Sequence, residues 1–326
     1  MPEHKHVSVA MCTYNGERYL KEQLESIANQ TRLPSEIVIC DDRSTDATLR
    51  IVETFAKTAP LRVVVHVNDV NVGGSSRGIT RNFERTIQRC SGDLIACCDQ
   101  DDVWMPHKVD VLARMFEQDP QLGCAFSDAE LITADGLPKG MRLSQAIGLT
   151  ARDRKRLKQG QALAVPLAMN KIYGSSLMFS SRLVEKIVPV PPHWWFDAWV
   201  GTVAASYAKL LFTPEPLFYY RIHANQDHGA SAAATSERMR QWKRSPKEFW
   251  EDCEPQLTEL YARLEKENTP QMEPHLAYLR GRMTLLRERT ELPPGRIRRS
   301  IQVLRRAPGY VRYFNGWRSI VKDLTA

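Results

Sequence analysis

Asp99-Gln100-Asp101-Asp102 places three carboxylates and an amide within four consecutive residues, directly after the apolar run Leu94–Cys98. Carboxylates this close repel one another unless water or a cation neutralises them. A hard divalent ion such as Mg²⁺ or Mn²⁺ takes one or two carboxylates and completes its octahedron with phosphate oxygens and water. The turn is therefore either a metal and phosphate site or a solvated corner with an Asp capping the next helix. A second acidic cluster, Asp41-Asp42-Arg43-Ser44-Thr45-Asp46, follows the run Ile37–Cys40, and there Ser44 and Asp46 suit helix capping. Far downstream, Asp197 lies among the aromatic residues of Trp194-Trp195-Phe196-Asp197-Ala198-Trp199. Neighbouring rings would desolvate that carboxylate and lift its pKa towards the range of a general base.

These clusters need elements to position them. Val7–Cys12, Ile37–Cys40, Leu61–Val67 and Leu94–Cys98 read as buried strands. Helical spacing fills Gly16–Gln30 (Leu20, Leu24, Ile27), Thr48–Ala59 and Arg81–Cys90. Strand and helix in alternation predict a mainly parallel sheet flanked by helices. Ligands gather outside the carboxyl ends of such strands. Thr13-Tyr14-Asn15, Asp41-Asp42, Asn71 to Arg81 and Asp99 to Asp102 all fall there. A helix at His107–Gln118 and a strand at Gly123–Ser127 follow, after which the pattern loosens through the charged stretch Arg152–Lys158. It returns at Lys171–Ser180, Trp194–Tyr207 and Leu210–Arg221.

The ordered set of motifs resembles the inverting glycosyltransferases of family 2, which have the GT-A fold, and among them the bacterial rhamnosyltransferase-like members. The match runs over about residues 7 to 230: Val7-Ser8-Val9, Thr13-Tyr14-Asn15-Gly16, Ser26-Ile27 with Gln30-Thr31, Cys40 to Asp46, Arg81-Asn82-Phe83-Glu84, Ser91-Gly92-Asp93, Asp99 to Trp104, and Tyr220-Arg221-Ile222-His223. The resemblance implies a nucleotide diphosphate sugar donor, with dTDP-L-rhamnose the best match. It implies Asp99 and Asp101 as a DXD-type element, Asp101 nearest a divalent metal (Mg²⁺ or Mn²⁺) and Asp99 nearer the ribose. Thr13, Tyr14, Asn15, Asp41, Asp42, Gln100 and Arg81, or Arg77 in its place, would bind the nucleotide. Gly174 would approach the donor sugar, Arg221 would pair with the diphosphate, and His223 would complete the metal shell. Asp197 would be the base, with Phe196 where the family usually has His. Trp104, Trp194, Trp195 and Trp199 are candidates for stacking on an acceptor sugar, or equally for the core.

Composition frames this reading. In 326 residues, 43% hydrophobic and 25% charged, the balance is that of a globular protein. Seven cysteines, five of them in apolar strand-like runs, point to structural thiols in a reducing compartment. No basic-then-apolar leader opens the chain, and no apolar run approaches the roughly 18–20 residues that cross a bilayer, so a cytoplasmic protein is expected. A GT-A catalytic domain is expected over residues 1–229 and a helical extension over 230–326, where 19 Lys and Arg stand against 12 Asp and Glu. Within that extension Ile297, Ile301 and Leu304 repeat at helical spacing among arginines. Such a helix could lie on an anionic membrane beside a glycan or lipid-linked glycan acceptor, or pack on the core or on a second subunit of a homo-oligomer. Nucleic acid is not an expected partner, and the absence of a Gly-rich loop with a Lys argues against nucleotidyl transfer.

Overall fold

The computed structural model describes residues 4–73, 76–168, 171–224, 226, 245–314 and 316–325. Contacts divide the chain into two compact units, Met1–Ala162 with Asn170–Ser231, and Leu163–Met169 with Ala232–Ala326. The expected boundary between residues 229 and 230 lies outside the described residues.

In the first unit, β1 (Val7–Thr13), β2 (Glu36–Asp41), β3 (Arg62–Val67) and β4 (Leu94–Cys98) form a parallel sheet in the order β3-β2-β1-β4. Every residue of β2 and β4 is buried, as an apolar strand covered on both faces must be, whereas the edge strand β3 is partly exposed. The crossovers carry α1 (Leu20–Ala28), α2 (Thr48–Ala56) and α3 (Ser76–Ile87). Helix α1 begins later than its periodicity suggests, because Gly16 opens a turn in which the Tyr19 and Leu20 amides both donate to the Gly16 carbonyl at 3.1 Å.

The sheet then changes character. Strand β4 pairs antiparallel with β8 (Leu177–Ser180), which pairs antiparallel with β6 (Leu122–Thr133); β6 runs parallel to β9 (Lys209–Ile222), and β9 holds the two-residue β5 (Val103–Trp104) antiparallel. A short β7 (Pro138–Arg142) pairs with β6 off the main path. The result is the expected GT-A class of α/β sheet, parallel in its first half and mixed in its second. Because β8 runs antiparallel to β4, the carboxyl end of β4 lies beside the turn Gly174–Ser176 that precedes β8.

The stretch Arg152–Lys158, irregular by pattern, is a helix (Ala151–Lys158). Thr150 and Asp153 cap it reciprocally, and the buried ion pair between Lys171 Nζ and Asp153 Oδ2 at 2.6 Å holds its charged face inward. Charge hides the signal there: Leu157 is the sole buried apolar side chain of that helix. Two further helices of this unit bear on the site, α4 (Lys108–Gln118) and α9 (Phe196–Tyr207), numbered here with the intervening short helices Leu143–Ala146, Ala151–Lys158, Ala164–Ala168 and Val184–Ile187 as α5 to α8.

The second unit is helical, as expected: α10 (Pro246–Glu267), α11 (Glu273–Thr290), α12 (Arg296–Arg305), α13 (Ala307–Tyr313) and α14 (Trp317–Thr325), together with α7. Its core contains a charge pair: fully buried Asp323 accepts from Arg289 Nε at 2.6 Å and Nη2 at 2.9 Å, and from the Tyr310 hydroxyl at 2.5 Å. A buried carboxylate satisfied three times locks α11, α13 and α14 into one arrangement, since removing either partner strands the other charge at a cost of roughly 3–5 kcal/mol. The Leu167 carbonyl of α7 accepts from Arg282 Nη2 at 2.6 Å and ties that short helix in.

Candidate functional site

The loops after β1 and β2 are built around two buried aspartates. Thr13 and Asp41 are register partners, and Thr13 Oγ1 donates to Asp41 Oδ2 at 2.8 Å. Asp41 also accepts the Ser44 amide at 2.8 Å and the Ser44 hydroxyl at 2.6 Å. Asp42 accepts from Asn68 Nδ2 at 2.9 Å and from the Val72 amide at 2.8 Å, and Asn68 reaches on to Asn82 Oδ1 at 3.1 Å. Asn15, held at a positive φ of 45°, donates its amide to Ser44 Oγ at 2.9 Å and accepts the Thr45 amide at 2.8 Å. Thr13, Asn15 and Asp41 thus work as the frame of the pocket, their polar atoms directed at other parts of the protein. Tyr14, 41% exposed, and the exposed Arg81 and Arg77 on α3 are the members of the nucleotide set turned to solvent.

Gln100 joins this frame to the acidic turn. Its Oε1 accepts the Tyr14 amide at 2.9 Å and its Nε2 donates to the Tyr14 carbonyl at 3.0 Å. A Cβ on Gly16 would stand 2.2 Å from that amide oxygen, so only glycine leaves room for the clamp. Gln100 is accordingly a positioning residue, its amide engaged on both sides.

Within the turn each carboxylate has a different environment. Asp99 accepts from Ser175 Oγ at 2.6 Å, and burial, then the neighbouring Asp101 charge, push its carboxyl up to about 6. Asp101 Oδ2 lies 2.8 Å from His223 Nε2, both side chains only slightly exposed. Asp102 is buried, accepts the Arg221 amide at 3.0 Å, and leaves Oδ2 with no protein partner; burial, then Asp101 and Asp99, hold its carboxyl well above the usual range.

Behind the turn stand two cations. Lys108, fully buried at the start of α4, donates to the Ser175 carbonyl at 2.5 Å and lies 4.1 Å and 4.3 Å from the ring centres of Trp104 and Phe218; burial lowers its pKa to about 8. Arg221 donates through Nε to the Asp101 carbonyl at 2.8 Å, through Nη1 to the Ala134 carbonyl at 3.0 Å and through Nη2 to Glu22 at 2.6 Å. Arg221, expected to pair with the diphosphate, is buried and turned towards these groups, and it holds the acidic turn in place. Gly174 opens the 3₁₀ turn Gly174–Ser176 that carries Ser175 to Asp99.

A stability profile follows from Asp99. Because its folded pKa stands above the ordinary carboxylate value of 3.8, ionising it costs folding free energy, and that cost appears as pH rises through about 4 to 6. Asp99→Asn is therefore expected to stabilise the ligand-free protein at pH 7.5 by on the order of 1–2 kcal/mol and to leave stability at pH 4 nearly unchanged. Urea midpoints at both pH values check this; equal gains at both would contradict the assignment.

Asp197 lies in the first turn of α9, half-buried, with its Oδ1 2.6 Å from the Ala198 amide. Phe196 stacks on Phe83 of α3 at 4.8 Å between ring centres. An aromatic ring here joins two helices through the core. Of the four candidate tryptophans, Trp195 is 37% exposed, whereas Trp104, Trp194 and Trp199 are 2%, 6% and 0% exposed. Three of the four thus have no face to offer a sugar: Trp199 donates to the Ile187 carbonyl at 2.8 Å, Trp194 packs on Trp199 at 5.2 Å, and Trp104 covers Lys108.

Among the described residues, no group of three or more His, Cys, Asp or Glu is drawn together as a ready metal cage. Of the expected set Asp99, Asp101 and His223, Asp99 accepts from Ser175 through Oδ2, and Asp101 and His223 stand side by side. Their 2.8 Å spacing is close to the roughly 3 Å between adjacent ligands of an octahedral ion with bonds of about 2.1 Å. That pair fits an ion whose shell is completed by substrate oxygens and water. Sequence reasoning missed Lys108, Asn68 and Glu22. For Lys108 there was a signal, because it falls four residues before Leu112 on the buried stripe of α4.

Residues 8–168 match the family model described as Glycosyl transferase family 2. An uncharacterized glycosyltransferase of Nostoc is 29% identical over 245 residues, 71% of this chain and 69% of the relative. A dTDP-rhamnosyl transferase of Shigella flexneri is 40% identical over 102 residues, 30% of this chain and 34% of that protein. Among solved structures, Staphylococcus aureus TarS in complex with UDP-GlcNAc has a TM-score of 0.58 at 18% identity, covering 98% of this chain and 81% of that one. The last likeness is one of fold.

Proposed function

We propose, with the family 2 glycosyltransferase segment at residues 8–168 as premise, that the chain is an inverting transferase. It moves a sugar from a nucleotide diphosphate donor, best matched by dTDP-L-rhamnose, to a glycan or lipid-linked glycan of a bacterial surface polysaccharide. The observation that carries this reading is the Asp101–His223 pair beside Asp99 at the carboxyl end of β4, where donor phosphates collect in an open α/β sheet.

In this reading Tyr14 and an arginine of α3 meet the base over the frame of Thr13, Asn15, Asp41 and Asp42. Asp99 faces the ribose and Gly174 the sugar. Asp101 and His223 hold a divalent metal, which when bound neutralises charge on the diphosphate. Asp197 accepts the proton of an acceptor hydroxyl as its oxygen bonds to the anomeric carbon and the carbon–oxygen bond to the diphosphate breaks. Attack opposite the leaving group inverts the anomeric centre, with no covalent enzyme intermediate. Trp195 is the aromatic ring on hand for the acceptor. The match to the Shigella dTDP-rhamnosyl transferase supports the donor assignment.

Thermal shifts with dTDP, UDP and GDP, each with and without Mn²⁺, test the reading. A nucleotide at a hundredfold excess over its Kd stabilises by about 2.7 kcal/mol. The expected result is stabilisation by dTDP that requires Mn²⁺. A preference for UDP would move the assignment to a UDP-hexose donor, and no response to any nucleotide would end it.

A further inference from the structure

The second unit turns an apolar face to solvent. Six of the fourteen large hydrophobic side chains exposed among the described residues, Ile297, Ile301, Leu304, Val311, Trp317 and Val321, fall in its last three helices. On α12, Ile297, Ile301 and Leu304 lie at i, i+4 and i+7, within an arc of roughly 60° at 100° per residue, and are 78%, 46% and 59% exposed. The opposite side of the same helix faces inward: Val303 is fully buried, Arg306 Nε pairs with Glu288 at 2.6 Å, and Arg299 Nε donates to the Pro293 carbonyl at 2.9 Å. On α14, Trp317 and Val321 repeat the arrangement at i and i+4, 67% and 42% exposed, while Asp323 points into the core. An amphipathic helix of a water-soluble unit normally buries its apolar stripe. Here α12 and α14 pack together with their stripes outside.

Charge selects the occupant. Residues 296–325 contain eight Lys and Arg and a single acid, Asp323, which is buried against Arg289. Arg298 and Arg305 flank the α12 stripe, Arg318 flanks that of α14, and all three are exposed. A second copy meeting this face about a two-fold axis would bring arginine against arginine. A surface that is apolar below and anionic at its rim satisfies both features at once. We infer that α12 and α14 seat the second unit in the headgroup layer of an anionic lipid membrane, with Ile297, Ile301, Leu304 and Trp317 entering the acyl boundary and the flanking arginines meeting lipid phosphates. No helix among the described residues is long and apolar enough to cross a membrane, and in-plane seating needs none. The inference goes beyond the transferase reading and does not depend on it.

Co-sedimentation of the full chain with vesicles of phosphatidylcholine, with or without phosphatidylglycerol, provides the test. Wild type is expected to bind the anionic vesicles and to dissociate at high salt. Ile297→Asp with Leu304→Asp should lower binding at least about tenfold, and Arg298→Gln with Arg305→Gln should lower it roughly fivefold per charge removed without altering binding to neutral lipid. Both pairs are exposed, so melting temperatures should match wild type. Wild type left in the supernatant with both vesicles overturns the inference, as does unchanged binding in the Asp pair. A lipid-free dimer that the Asp pair dissociates on size exclusion would assign the face to a second copy instead.

Discussion

Asp197→Asn is expected to lower kcat by about 10³-fold while leaving donor affinity within about twofold of wild type. Positioned general bases contribute 10²–10⁴-fold, and Asn keeps the shape of the side chain and its contact with the Ala198 amide but cannot accept a proton. Phe196 packed on Phe83 fixes the first turn of α9 against α3, so the loss belongs to chemistry and not to a shifted helix. Donor affinity read by nucleotide-dependent thermal shift separates the two. A variant that keeps most of its turnover removes Asp197 from the base role, and a wild type that binds donor with no turnover for any acceptor makes the chain a sugar-nucleotide-binding scaffold.

Asp101→Ala has an expected effect of similar size by a different route. Withdrawing a group that stabilises charge on a leaving oxygen costs 10²–10³-fold, and this substitution removes one of the two side chains able to hold the ion. Turnover should fall by about 10³-fold, and Mn²⁺ should no longer add to nucleotide-induced stabilisation. His223→Ala should share the loss of Mn²⁺ response with a smaller loss of rate, because Asp101 would retain the charged ligand. Metal dependence unchanged in both variants would exclude the pair as the metal site. Apo stability distinguishes a damaged fold: the Asp101 charge repels Asp99 and Asp102, and relief of that repulsion offsets the lost contact with His223, so its removal should cost little.

The elements behind these residues were legible where burial is simple. β1, β2 and β4 are apolar runs, α1 and α3 keep their period, and the strand ends deliver the motifs as expected. Asp41 shows where legibility stops. A carboxylate after a strand reads the same whether it faces a ligand or accepts Thr13 and Ser44, and only the partner atoms decide, Thr13 lying 28 residues away in sequence. The tryptophans fail for a related reason, since aromatic content does not reveal which face is covered. Arg221 was found by position, but its engagement with Ala134 depends on the β6–β9 pairing and that with Asp101 on the β5–β9 pairing, which no local pattern announces. The mixed half of the sheet was least visible because β6 and β9 pair in parallel across nearly ninety residues.

Lys108 and Arg221 stand behind the acidic turn, and neither is free to move. Each is buried and directed at protein carbonyls, rings or Glu22. A pocket that gripped a diphosphate with fixed cations would hold the spent nucleotide at least as firmly as the fresh donor, since cleavage adds negative charge to it. Here Lys108 and Arg221 serve the architecture, and in the proposed reading attraction to phosphate is left to a metal ion that exchanges with solvent. Turnover then need not wait on tearing a product from its own counter-ions: the hold on the nucleotide can depart with it.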